Sequence, residues 1–120
     1  MKKQKSNIFR SFFNAFRGIY ILFKTERNAQ IHLAAIIVVG ISGFYLAISS
    51  TDWLFVCSAI TAVVVAEGFN TAIEKTLDFI STQENPKIGV IKDIAAGAVL
   101  LSALYAIIIA AIVFYPKLFL

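Results

Sequence analysis

The stretch WLFVCSAITAVVVA, Trp53–Ala66, runs for fourteen residues without a charge and passes directly into EGFNTAIEKTLD, Glu67–Asp78. If one helix continues through both, Glu67, Asn70, Glu74 and Asp78 fall at roughly 0, 300, 340 and 20° around its axis, so all four share a face. A charge at the centre of a bilayer costs ~2.5–3.5 kcal/mol on insertion scales. Glu67 must therefore face a bundle interior, a wet cavity or a partner, because a helix gains nothing by turning it toward lipid. Seven residues at about 1.5 Å each put Glu67 about 10 Å deeper than Glu74.

Outward from this span the chain is apolar throughout. Of 120 residues, 59% are hydrophobic and 15% charged, which a soluble domain of this size could not bury. Residues 31–49 and 94–115 contain no Asp, Glu, Lys or Arg. Three spans follow, at about 31–48, 53–73 and 94–115, each near the roughly 20 residues that cross the hydrocarbon. Trp53 and Tyr115 fall at span ends, where aromatic rings sit among headgroups, and Pro116 is expected to close the last span. The fold expected is an all-α membrane protein, one domain over residues 1–120.

Upstream, Ile8, Phe9, Phe12, Phe13, Phe16, Ile19, Tyr20 and Phe23 recur at helical spacing, with Arg10, Asn14, Arg17 and Lys24 opposite. This pattern predicts an amphipathic helix over about residues 6–28, lying on the membrane surface. The segment Ser81–Ile91, with Gln83, Glu84, Asn85 and Pro86, predicts a polar turn between spans two and three. In span three, Ala98, Ser102, Ala106 and Ala110 form a small-residue stripe suited to close helix packing, within the chain or between subunits.

The net charge of +4 does not imply nucleic acid, because Lys2, Lys3, Lys5, Arg10, Arg17, Lys24 and Arg27 crowd beside the first span. Lys75, Lys87 and Lys92 lie between spans two and three, whereas residues 49–52 carry no Lys or Arg. The positive-inside rule places the N-terminus and the second connection in the cytoplasm. The charged region before span one is too long, and the apolar run too extended, for a cleaved signal. One cysteine excludes an internal disulfide, and with His32 as the one imidazole a zinc site is excluded too. Cys57 is a small packing residue.

The chemistry belongs to the carboxylates. Glu74 stands at the aqueous end for a metal and Glu67 deeper for a lipid hydroxyl, while Glu26 and the pair Lys92 and Asp93 approach the same depth from the other spans. Mg²⁺ takes one or two carboxylates together with phosphate oxygens, and a lysine supplies a point charge to phosphate. Neither Gly-rich phosphate loop is present, so a nucleotide would be held without one. The same carboxylates suit a second function, a small oligomeric proton or cation conduit in which Glu67 titrates.

The run Glu67-Gly-Phe-Asn70-Thr-Ala-Ile-Glu74, then Asp78, then Lys92-Asp93-Ile-Ala-Ala-Gly-Ala-Val99, closely resembles the small integral-membrane lipid kinase family of bacteria, which contains diacylglycerol kinase and undecaprenol kinase. Phe16-Arg-Gly-Ile19, Lys24-Thr-Glu26-Arg-Asn28 and Ile31-His-Leu33 fit it as well, over roughly residues 10 to 115. The resemblance implies an ATP- and Mg²⁺-dependent kinase of a membrane lipid alcohol in the bacterial inner membrane, assembled as a homotrimer with sites between subunits. It implies Glu67 as general base, Glu26 and Glu74 as metal ligands, and Asn70 and Asp78 as organisers of the site. Asn14, Glu26, Glu74, Glu84, Lys92 and Asp93 would contact ATP. Gly68 stands where the family commonly has a larger aliphatic residue. Lys75, Arg27, Asn28 and His32 resemble the undecaprenol-kinase branch, with His32 expected as a hydrogen-bonded span-end histidine rather than a catalytic group.

Overall fold

Asn7 opens the first helix by accepting a hydrogen bond from the Arg10 amide at 2.8 Å, a side-chain cap for one of the free N–H groups of the first turn. In the computed structural model, which describes residues 7–120, the described residues form four α-helices: α1 Ile8–Thr25, α2 Arg27–Tyr45, α3 Ser50–Ile80 and α4 Pro86–Phe119. Lys2, Lys3 and Lys5, and the first residue of the expected surface helix, lie outside the described residues.

No residue of α1 is buried. Phe9, Phe12, Phe13 and Phe16 are all exposed on it, so the apolar face predicted from the sequence is left uncovered by the described residues. The chain breaks at Glu26, whose extended backbone lets α2 leave in a new direction while its N–H still reaches the Leu22 carbonyl at 3.0 Å. Gln30 Nε2 donates across the break to the Lys24 carbonyl at 3.1 Å.

The α2–α3 corner is tight. Ala47 adopts φ 50°, a left-handed backbone that costs an L-residue about 1–2 kcal/mol. Ser49 then caps α3 by accepting from the Asp52 amide at 3.1 Å. Trp53 lies across Gly43 and against the Phe44 ring, centroids 4.9 Å apart, and adjoins a buried cluster of Ile48, Val56 and Val113.

The expected turn Ser81–Ile91 is shorter than the sequence suggested. Asn85 caps α4 by accepting from the Lys87 amide at 2.9 Å, and Pro86 takes the first helical position, where its missing N–H has no intrahelical partner to lose. Pro116 does not end the last span either, since α4 runs through it to Phe119. A proline deletes one backbone bond, and here the final turn is held by the Leu120 amide on the Pro116 carbonyl at 3.1 Å and by Tyr115 against Phe119, 5.1 Å between centroids.

α2, α3 and α4 are each long and apolar enough to cross a membrane, and the chain is a multi-pass membrane protein. At 31 and 34 residues, α3 and α4 are about 46 and 51 Å long, well over the ~30 Å hydrocarbon thickness. They pack antiparallel, tied by Ser58 Oγ and Tyr105 Oη at 3.0 Å near one end and by Lys92 Nζ on Asp78 Oδ1 at 2.7 Å near the other. Their charged turns therefore project together beyond the apolar region, with the connection 81–85 at the tip. The small-residue stripe divides: Ala106 and Ala110 face inward toward α2 and α3, whereas Ala98 is exposed.

Candidate active site

Glu67 lies in the eighteenth position of α3 and is only 3% exposed, with Asn70 and Thr71 buried beside it. The helical phase predicted from the sequence explains this: the face that carries Glu67 and Asn70 also carries Val56 and Val63, and it packs inward. Three oxygens on this face, Glu67 Oε2, Asn70 Oδ1 and Thr71 Oγ1, are buried and have no hydrogen-bond partner among the described residues. The large majority of buried side-chain polar atoms are paired, so three unpaired oxygens on one face leave hydrogen-bonding capacity that no side chain among the described residues takes up.

Around Glu67 the other elements bring specific groups. His32 comes from the second turn of α2 and places Nε2 3.7 Å from Glu67 Oε2. Glu26, at the α1–α2 break, and Glu74, two turns along α3, both lie within electrostatic range of Glu67. Asn70 Nδ2 donates to Glu74 Oε1 at 3.4 Å, and Lys75 Nζ stands 3.4 Å from Glu26 Oε1. One chain thus gathers Glu26, Glu67, Asn70 and Glu74 of the expected set. Lys92 and Asp78 pair with each other farther along, where with Glu84 they line a polar cleft of about 670 Å³ at the α3–α4 tip. Asn14 and Asp93 are exposed on α1 and α4, and among the described residues neither side chain has a hydrogen bond or ion pair to this cluster.

The donor set bears on a metal. Among the described residues no three His, Cys, Asp or Glu side chains converge as a self-sufficient cage. Glu26 and Glu74 each lie within electrostatic range of Glu67, and two carboxylates are the share of a Mg²⁺ shell that a protein provides when phosphate oxygens supply the rest. Lys75 neutralises Glu26 within the chain, a role that a cation arriving with a nucleotide could take over.

On the other side of Glu67, α3 residues Val56, Ala59, Ile60 and Val63 face α2 and α4 across an apolar cavity of about 270 Å³. His32 is its one polar lining side chain among the described residues. The site is therefore graded along α3, from hydrocarbon lining, through Glu67, to the charged groups at Glu74 and beyond. Nothing in the structure requires a glycine at position 68. An added Cβ there would meet Leu22 of α1 at 3.7 Å, an ordinary contact, so the glycine is not needed for space.

Two side chains that border the cluster were not among the expected site residues. His32 was expected only as a span-end histidine, and Lys75 only as a branch marker. The available signal for His32 was phase: it lies on the face of α2 that includes Ala29 and Ile36, three residues before and four after, which turn toward α3. No comparable signal marked Lys75, because its partner sits at a helix break.

Residues 13–114 match the family described as prokaryotic diacylglycerol kinase. The chain is 39% identical over 117 residues to the undecaprenol kinase of Bacillus subtilis (strain 168), covering 98% of this chain and 95% of that one. It is 32% identical over 113 residues to the diacylglycerol kinase of Synechocystis sp., covering 93% of this chain and 65% of that one.

Proposed function

The chain belongs to the prokaryotic diacylglycerol kinase family and is a lipid kinase that uses ATP, and we propose that its acceptor is undecaprenol, phosphorylated with Mg²⁺ at the inner face of the bacterial cytoplasmic membrane. The observation that carries the site assignment is Glu67, buried with an unpaired Oε2 on α3 between the residues that line the apolar cavity and the carboxylate of Glu74. Support for undecaprenol comes from the relative matched over nearly its full length, the Bacillus subtilis enzyme, whereas the diacylglycerol kinase relative is covered over only 65%. Family membership takes the place of the proton or cation conduit reading.

The acceptor hydroxyl approaches from the hydrocarbon side and loses its proton to Glu67. Its oxygen forms a bond to the γ-phosphorus of ATP as the bond from that phosphorus to the β–γ bridging oxygen breaks, and ADP departs. Phosphoryl transfer asks a protein chiefly for position and charge neutralisation, and few covalent groups are needed. Glu26 and Glu74 would hold Mg²⁺, which supplies charge neutralisation on the phosphates when bound. Asn70 orients Glu74 by its hydrogen bond, and Lys92 and Glu84 border the cleft suited to the rest of the nucleotide.

The proposed assembly is a homotrimer with the N-terminus and the 81–85 connection in the cytoplasm. Exposed Asn14 and Asp93 support a site completed by a neighbouring subunit, since within one chain neither pairs with the Glu67 cluster. Because Glu26 and Glu67 already meet in one chain, chains carrying Glu67→Gln and Glu26→Gln are not the complementing pair. Glu67→Gln mixed with Asp93→Asn before assembly should restore partial activity, and mixtures that never do so would rule out sharing. The acceptor is tested with radiolabelled ATP, Mg²⁺ and either undecaprenol or diacylglycerol, separating lipids by thin-layer chromatography. Label entering undecaprenyl phosphate well above phosphatidic acid supports the assignment, and the reverse makes the chain a diacylglycerol kinase.

A further inference from the structure

No group on α3 holds Glu67 Oε2. Its Oε2 is buried and unbonded, and the polar side chain facing that atom from a different helix is His32, Nε2 at 3.7 Å. That separation is too long for a hydrogen bond, yet a movement of about 0.8 Å by either group would close it to a normal N–H···O length. Contacts of this kind are often long before substrate binds and tighten in the reacting complex. His32 is 24% exposed where Glu67 is 3%, so the imidazole borders open space on one side and the carboxylate on the other.

Its position along the site is specific. The cavity beyond His32 is lined by α3 residues 56–63, on the far side of Glu67 from Asn70 and Glu74, and His32 is the single polar group in that lining among the described residues. The imidazole is therefore placed against the acceptor's half of the site, away from the carboxylates that would hold the metal. We infer that His32 is a positioning residue: it donates its Nε2–H to Glu67 Oε2, fixing the carboxylate plane so that Oε1 is directed at the acceptor hydroxyl. It touches neither nucleotide nor metal, so its removal should act on turnover and leave nucleotide affinity alone. This inference rests on the assignment of Glu67 as the proton acceptor.

The test uses the full chain in mixed micelles with Mg²⁺, ATP and undecaprenol, and compares wild type with Glu67→Gln, His32→Leu and His32→Gln. Displacing a reacting group by about 1 Å costs up to about 100-fold in rate. His32→Leu should lower kcat by about 10- to 100-fold with the KM for ATP unchanged within about twofold. His32→Gln carries an amide N–H of similar reach and should stay within about fivefold of wild type. Full activity in Glu67→Gln would remove the premise itself, whatever the histidine variants do. With Glu67→Gln inactive, the inference is overturned by wild-type kcat in His32→Leu, by His32→Gln performing no better than His32→Leu, or by a rise in the KM for ATP that matches the loss of kcat, the pattern of a merely structural histidine.

Discussion

Replacing Gly43 with alanine should drive a methyl group into Trp53. A Cβ built on Gly43 would lie 2.7 Å from Trp53 Cη2, 2.8 Å from Cζ2 and 3.2 Å from Ile48 Cδ1. Carbon atoms rest about 3.5–4.0 Å apart, so the indole would have to retreat by about 1 Å. It has little room to do so, being wedged between Phe44 and the cluster of Ile48, Val56 and Val113. Overpacking of this kind costs about 1–3 kcal/mol, against which alanine in a helix regains about 1 kcal/mol over glycine. Gly40, one turn earlier in α2, isolates the clash, because its added Cβ would meet nothing within 4 Å. Gly43→Ala should therefore be less stable than Gly40→Ala by about 1–3 kcal/mol. Denaturing detergent titration, followed by helical circular dichroism and by the fluorescence of Trp53, the one tryptophan in the chain, measures the difference. Adding Trp53→Leu to Gly43→Ala should shrink the gap. If the two glycine variants agree within the ~0.5 kcal/mol to which independent sites add, the contact across the α2–α3 corner does not constrain the fold as described.

Three further outcomes are expected. Ala47→Gly should raise stability by up to about 1 kcal/mol in the same titration, because glycine adopts the φ of 50° without the steric cost. Phe12→Asp with Phe16→Asp should lower lipid phosphorylation while the helical signal of the spans persists, since both rings are exposed on α1 and a charge there opposes seating that face against a bilayer; unchanged kinetics would make α1 a passive anchor. Glu74→Gln should raise the Mg²⁺ concentration needed for half-maximal activity or abolish activity outright, measured by a magnesium titration at saturating ATP, and an unaltered magnesium dependence would remove Glu74 from the metal's ligands.

Much of the site was legible because a helix converts spacing into direction. Glu67, Asn70 and Glu74 were placed on one face by arithmetic alone, and Glu67 and Asn70 are both buried there. Contacts between helices were harder to read. His32 and Glu67 are thirty-five residues apart, and the pairing depends on how α2 leaves the break at Glu26, which no local pattern specifies. Lys75 and Glu26 depend on the same break. Pro86 and Pro116 misled for a different reason: a proline marks where a helix loses one hydrogen bond, and whether the helix ends there is decided by capping, by Asn85 at one end of α4 and by the last-turn contacts at the other. The small-residue stripe was ambiguous between packing within the chain and packing between chains, and the inward placement of Ala106 and Ala110 assigns those two to the first.

Removal of the lipid hydroxyl's proton by a carboxylate buried in the span is tested by Glu67→Gln, measuring both phosphoryl transfer to the lipid and equilibrium binding of ATP with Mg²⁺. The substitution keeps the size of the side chain and removes its basicity. Loss of a general base should lower the rate about 10²- to 10⁴-fold with nucleotide binding largely intact. Transfer at the wild-type rate would show that Glu67 is not the proton acceptor and that another group takes the hydroxyl proton.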